Sequence, residues 1–230
     1  MYMSWFHVSG NLQTRKINTC METIKIKEAQ TTGRVKLFNP ADKQVSSSDF
    51  TLTEISDDWV CELVTPDHPA LKKKASANPF KNKNANWQER ESEMIQLMKD
   101  NIGVGLACPQ IGQSYNMFVM IHSHLKEIGV YNPEILEIEG EVNLEEGCLT
   151  WPLLFFNVRR PERIKVRYTK TDGETDVEMW MDGMDARCFL HEYDHLQGTV
   201  FLEYAGDVKL RRAMEKRNKL LEKARRRFKR

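Results

Sequence analysis

Apolar side chains recur along the middle of the chain with two different periods. Trp87, Met94, Ile95, Met98 and Ile102 share one face when 3.6 residues make a turn. This predicts an amphipathic helix that opens at Asn86, with Glu89 three residues on as in a capping box, and ends at Asn101 and Gly103. Over Arg163–Thr169 the period drops to two, with Ile164, Val166 and Tyr168 on one face, and Asp172-Gly173 leads into a second such run at 177–181, a hairpin signal. Residues 117–121 form an apolar run of buried-strand length. Residues 64–69 carry turn chemistry, and the polar, Asn-rich stretch 72–86 reads as an exposed loop. Toward the N-terminus the pattern weakens to short alternations at 23–27, 35–37 and 50–53, so residues 1–55 read as an extension of unknown role. Strands joined by short turns, with helices on either side, predict an α+β fold with mostly antiparallel sheets.

Composition narrows the class. The 230 residues are 40% hydrophobic and 29% charged, which excludes a largely disordered chain. No apolar run approaches the roughly 18–20 residues that a membrane-spanning helix needs, so no membrane role is expected. The first 21 residues lack acidic side chains and include Arg15 and Lys16, faintly like an organelle-targeting peptide, whereas Met21 also reads as a start of translation. Five cysteines, an odd number without tight spacing, point to free or metal-bound thiols in a reducing compartment, the cytoplasm or an organelle. The net charge of +1 hides an asymmetry: residues 209–230 carry +10 and the rest −9. The C-terminal segment is therefore a separate basic object, with Leu210, Met214, Leu220, Leu221, Ala224 and Phe228 approximating a helical stripe.

The sharpest chemical signal is His191-Glu192-Tyr193-Asp194-His195. On a helix, residues i and i+4 stand one above the other, so both imidazoles can reach one metal ion. Glu192, turned about 100° from His191, can handle a proton beside that ion without ligating it. Asp182 or Asp185 would cap the helix and Gly198 would stop it. Two histidines need a third ligand. Downstream, only Glu203 offers itself, and the spacing of an HxxGxxH is absent. Upstream stands Glu145-Glu146-Gly147-Cys148-Leu149-Thr150, where the thiolate is a strong ligand for zinc or ferrous iron, although a cysteine taken alone is more often a small buried hydrophobe. A third segment, residues 103–112, is Gly-rich and apolar with Gln110 as its one amide, and lacks the pattern of a phosphate loop.

Together the three segments resemble the peptide deformylase family, whose signatures GxGLAAxQ, EGCLS and HExDH stand here, in the same order, as GVGLACPQ, EGCLT and HEYDH. The resemblance implies a deformylase-like catalytic domain over 56–205, with antiparallel sheets packed around a central HExxH-bearing helix, followed by a basic C-terminal helix over 206–230. It implies a metal-dependent hydrolase of protein biosynthesis that removes the N-formyl group from the formylmethionine of nascent polypeptides, releasing formate. Cys148, His191 and His195 would hold one divalent metal, ferrous iron first, with zinc or nickel able to replace it. Glu192 would carry the proton, and the Gln110 amide and the Leu149 N–H would face the oxyanion. Val104, Leu144 and Cys188 would line the methionine pocket, with Gly105 and Gly147 letting an extended peptide approach. The basic helix would dock on ribosomal RNA.

Departures from the family pattern are Cys108 for alanine, Thr150 for serine, and the bulky Trp151, Phe155 and Phe156, read as an apolar rim after the cysteine. Glu146, Arg160 and Asp194 are expected behind the ligands, with a Glu146–Arg160 ion pair holding the cysteine loop. His122 and His124 read as ordinary strand or surface residues. The alternative reading is an HExxH metallo-endopeptidase; a ribosome-associated factor without activity is disfavoured by the intact ligand set.

Overall fold

The computed structural model describes residues 59–228, of which all but Trp59 and Val60 belong to one compact unit, Cys61–Arg230. The N-terminal extension and its three strand candidates lie outside the described residues.

Helix α1 (Trp87–Asp100) starts where its capping residues put it: the Asn86 side chain accepts from the Glu89 N–H (3.3 Å) and donates to the Glu89 carboxylate (3.2 Å). Trp87, Met94 and Met98 are buried, as the periodicity requires. Ile102 is past the helix end, at φ +56°, where the Gly103 N–H reaches back to the Met98 carbonyl (2.8 Å). A branched residue in this left-handed stop costs roughly 1–2 kcal/mol. The adjacent glycine is needed for a close contact described below.

Seven strands follow among the described residues, all paired antiparallel. β1 (Gly105–Ala107), β2 (Met117–His122), β3 (Lys126–Glu139), β6 (Arg163–Thr169) and β7 (Asp176–Asp182) form one sheet in the order β1-β2-β3-β6-β7, while β4 (Val142–Cys148) and β5 (Trp151–Arg160) make a separate hairpin. In β6–β7 the predicted faces meet: Ile164 opposes Met181, Val166 opposes Met179, and Tyr168 opposes Val177. The connection is a loop at 170–175 rather than a two-residue turn. Asp172 organises it, accepting from the Thr175 hydroxyl (2.6 Å), the Thr175 N–H (2.8 Å) and the Glu174 N–H (3.0 Å). The opposite face of the sheet carries paired charges, Glu137–Lys165, Glu139–Arg163 and Arg167 between Glu134 and Glu178.

Helix α2 (Gly183–Leu196) buries Ala186, Phe189, Leu190 and Leu196 against Phe118, Met120, Val130, Ile164, Val166 and Met181 of the sheet. Phe118 and Phe189 meet edge to face at 5.1 Å. Each fully buried side chain of this size contributes roughly 1.5–3 kcal/mol, enough for this layer to fix the helix on the sheet. Asp182 is the N-cap residue, yet its side chain makes no capping bond; Asp185 instead accepts from the Ser123 N–H (3.0 Å) and hydroxyl (2.5 Å) at the end of β2. The stretch 72–86 is also more anchored than its polarity suggests. Ala75 and Pro79 are buried, and the Ala75 N–H donates to the Leu196 carbonyl (2.8 Å).

A second core lies under the hairpin. Cys148, Trp151, Leu154, Phe156 and Val158 pack with Leu71, Val200 and Phe201, and Leu210, Ala213 and Met214 of helix α3 (Asp207–Phe228) cover them. Trp151 and Phe156, read from sequence as part of an apolar rim after the cysteine, are interior: they are 6% and 4% exposed, and Phe156 stacks on Phe201 at 4.7 Å. Arg217 donates to the Pro152 carbonyl (2.7 Å) and Lys209 to that of Asn157, so α3 is tied to β5 by polar bonds as well.

Candidate metal centre

Helix α2 carries two adjacent stripes. Arg187, His191 and His195 stand at i, i+4 and i+8, and Cys188 and Glu192 form the neighbouring stripe. Cys148 ends β4 at a register irregularity after Gly147, which turns its side chain toward that helix. The Cys148 sulfur lies 3.3 Å from His195 Nε2, and one donor atom from each of Cys148, His191 and His195 falls within 4.8 Å of the others. Tetrahedral coordination at the usual Zn–S and Zn–N lengths puts sulfur and nitrogen roughly 3.5 Å apart, so the spacing fits one ion. This is the group of three among the described residues that could hold a metal, and all three members are buried.

Two unpaired atoms fit the same reading. Glu192 Oε2 and His195 Nδ1 are buried without a hydrogen-bond partner among the described residues. An unpaired buried carboxylate oxygen beside a ligand set is an acceptor available for substrate or water. Burial pushes the Glu192 carboxyl up to about 7, the proton affinity of a general base near neutral pH. The imidazoles differ. Burial opposes protonation of both; in His191 the bonds to Cys148 and Glu146 outweigh it, and in His195 none does.

Residues 103–112 are shaped by these groups. The Gln110 Oε1 accepts from the Ala107 N–H (2.7 Å), which turns Nε2 toward the Cys148 sulfur (3.4 Å) and the Thr150 hydroxyl (3.3 Å). The hydroxyl retained at Thr150 thus has a partner. A Cβ on Gly103 would lie 2.7 Å from Leu149 Cδ1, and one on Gly105 would lie 2.7 Å from Glu192 Cγ and Cδ and closer still to Oε1. Each glycine therefore makes room for a side chain from another signature segment. Gly105→Ala is expected to displace Glu192 and lower the rate of catalysis about 100-fold, with metal content unchanged. Steady-state kinetics with metal analysis checks this, and a rate within threefold of wild type would refute it.

The remaining sequence-predicted residues have the following surroundings. The Cys188 thiol donates to the Val104 carbonyl (3.3 Å), Val104 is half-buried, Gly147 opposes Phe155 across the hairpin, and Leu144 is exposed. Cys108 is fully buried with its sulfur 3.8 Å from Met94 Sδ, a core residue rather than a competing ligand. Glu203, the alternative third ligand, accepts from the Val200 N–H (3.2 Å) and caps its own turn. His122 is buried, its Nδ1 accepting from the N–H groups of His124 (3.1 Å) and Leu125 (3.2 Å).

Behind the ligands, Glu146 accepts from Arg160 Nε (2.6 Å) and NH2 (3.0 Å), the expected pair, and its Oε2 meets His191 Nδ1 (3.1 Å). Burial alone would raise the Glu146 carboxyl, but the bonds from His191 and Arg160 hold it down to about 2. Arg160 also donates to Asp194 (2.8 Å), which accepts from the Tyr204 hydroxyl (2.9 Å). Two members were not anticipated. Tyr204 follows the motif by nine residues, and Arg187 lies on the ligand stripe itself, a position the i, i+4 pattern of His191 and His195 already marked.

Comparison with known proteins agrees with this geometry. The polypeptide deformylase family profile matches residues 60–211. A peptide deformylase of Thermotoga petrophila is 42% identical over 142 residues, covering 61% of this chain and 84% of its own. Among solved structures, a peptide deformylase from Legionella pneumophila superposes with a TM-score of 0.62 at 31% identity, covering 69% of this chain and 93% of its own. That of Thermotoga maritima gives 0.58 at 38% identity, covering 63% and 97%. With two thirds of its length inside the family profile and the three signatures interlocked in space, the chain belongs to the polypeptide deformylase family.

Proposed function

We propose that this peptide deformylase removes the formyl group from the formylmethionine end of nascent polypeptides at one divalent ion held by Cys148, His191 and His195, with ferrous iron as the native metal. The observation that carries the site assignment is the approach of the Cys148 sulfur to His195 Nε2 at 3.3 Å beside an unpaired Glu192 oxygen. When bound, the ion supplies a water acidic enough to lose a proton near neutral pH and a positive charge beside the formyl oxygen. Glu192 Oε2 would accept a proton from the water whose oxygen bonds to the formyl carbon and return it to the amine nitrogen as the formyl C–N bond breaks, so that one water is consumed and formate and a free amino terminus leave. Gln110 Nε2, held by its own Oε1 bond to Ala107, faces the oxygen on which charge develops, together with the Leu149 N–H. Val104, Leu144 and Cys188 line the methionine pocket, and Gly105 and Gly147 flank the extended peptide. Helix α2 is read as the central element of the catalytic domain over 56–205, with 1–55 an appended segment and 206–230 a basic helix. Iron rests on family resemblance, since a Cys/His/His set also suits zinc and nickel. Among the described residues Cys61, Cys108, Cys148 and Cys188 form no disulfide, and the compartment proposed is a reducing one, the cytoplasm first and an organelle as the other choice. Among the described residues no helix is long and apolar enough to cross a membrane. The test is formate release from a formyl-Met-Ala-Ser peptide by anaerobically iron-loaded protein. Formate is expected from the formyl peptide and no acetate from its acetyl counterpart, and cleavage of internal peptide bonds instead would overturn the assignment.

The same proposal gives α3 a partner, ribosomal RNA near the nascent chain. Because Leu210, Ala213, Met214 and Arg217 dock α3 on the hairpin, removing the helix would also disturb the site. Reversing the exposed Arg211, Arg212, Lys216 and Lys219 to glutamate tests the charge alone. Ribosome affinity of wild type is expected to fall steeply with salt, and that of the variant to be weaker with a shallower salt slope, with peptide deformylation intact. Equal affinity and slope in a cosedimentation series would reject the docking.

A further inference from the structure

Arg187 is 3% exposed, and four protein oxygens surround its guanidinium. NH1 donates to Glu146 Oε1 (2.5 Å), to the Val158 carbonyl (3.1 Å) and, at longer range, to the Leu144 carbonyl (3.4 Å), while NH2 donates to the Val142 carbonyl (3.0 Å). The group therefore ties α2 to both strands of the hairpin that carries Cys148. It also divides the labour of one carboxylate. Glu146 Oε1 is occupied by Arg187 and by Arg160 Nε, which leaves Oε2 facing His191 Nδ1, with Arg160 NH2 as its other partner. A carboxylate free to rotate about its last bond would not hold an imidazole in one orientation; one fixed at both oxygens does.

Charge gives a second reason for two arginines. Glu146 and Asp194 are both close to Arg160, and one guanidinium cannot balance two buried or half-buried carboxylates. Arg187 restores neutrality. An unbalanced buried charge is costly, whereas a paired and fully hydrogen-bonded one is tolerated and sets geometry. The only guanidinium nitrogen of Arg187 left without a partner among the described residues is Nε.

We propose that Arg187 is a positioning residue for the metal centre: by locking the Glu146 carboxylate and both strands of the hairpin to α2, it sets the orientation of His191 and slows release of the ion. This rests on the metal reading above, and the test separates the two. Full-length wild type, Arg187→Met, Arg187→Lys and Tyr131→Phe are loaded with Co2+ as the probe. The visible d–d spectrum and the rate of Co2+ loss to excess chelator are then recorded. Tyr131→Phe removes the bond from Tyr131 to Glu91 (2.9 Å), in the packing of β3 against α1, and controls for loss of stability alone.

Arg187→Met is expected to release Co2+ about 10–100-fold faster, with a changed d–d band. Arg187→Lys keeps the charge without the fork and should fall between it and wild type. Tyr131→Phe should match wild type in both readouts. Should Arg187→Met fail to fold, the lysine variant carries the test. Release within twofold of wild type with an unchanged band overturns the positioning role, as does equal acceleration in Tyr131→Phe. Absence of Co2+ uptake by wild type overturns the metal reading itself.

Discussion

Replacing Glu192 by glutamine is expected to lower kcat for formate release about 1000-fold while one metal ion per chain is retained. The substitution keeps the shape of a side chain that is 3% exposed and packed against Gly105, so the ligand stripe should be undisturbed. What it removes is the capacity of Oε2 to accept and return a proton, a contribution typically of 100- to 10,000-fold. The unpaired state of that oxygen makes the point specific: no hydrogen bond among the described residues is broken at Oε2, so stability should be nearly unaffected. Formate release and metal analysis on the same preparation decide it. Activity within tenfold of wild type would remove Glu192 from the proton path.

Cys148→Ala should have the larger effect, because it removes a ligand rather than a proton carrier. Loss of a partner behind the ligands typically costs 10–100-fold in metal affinity. Loss of the sulfur itself should exceed that, leaving two imidazoles 5.1 Å apart, centre to centre, to hold the ion. The expected result is a preparation with little metal after passage through chelator and no formate release, not restored by adding stoichiometric Fe2+ or Zn2+. The methyl side chain should still fit the core around Trp151 and Leu154, so a folded but inactive protein is expected. A variant that keeps one ion per chain would mean that the sulfur is not a ligand.

How much of this was legible in the sequence follows the range of each interaction. The imidazole pair and Glu192 lie within about one helical turn, and β6–β7 declares itself by alternation within about twenty residues. Helix α1 was readable from Asn86 and its apolar face for the same reason. Strand β3 was not, because Asn132-Pro133 looks like a breaker; the structure absorbs it as a register irregularity with Asn132 at φ +48°. Trp151 and Phe156 were misplaced because what covers them, Phe201 and α3, comes about fifty residues later. Arg187 was missed for a related reason. An arginine on a helix ordinarily reads as a solvated residue, and only the hairpin carbonyls of Val142, Leu144 and Val158 show that it is interior.

Cys148 and His195 are 47 positions apart and meet only when the hairpin is seated on α2. An extended or partly melted chain cannot present both to the same ion, so occupancy selects the native state and resists its opening by mass action, by about 2.7 kcal/mol when free ion stands at 100 times its dissociation constant. Metal supply would thus enter the lifetime of the molecule as well as its turnover: copies made under metal starvation should be digested by proteases faster than those filled on completion of folding.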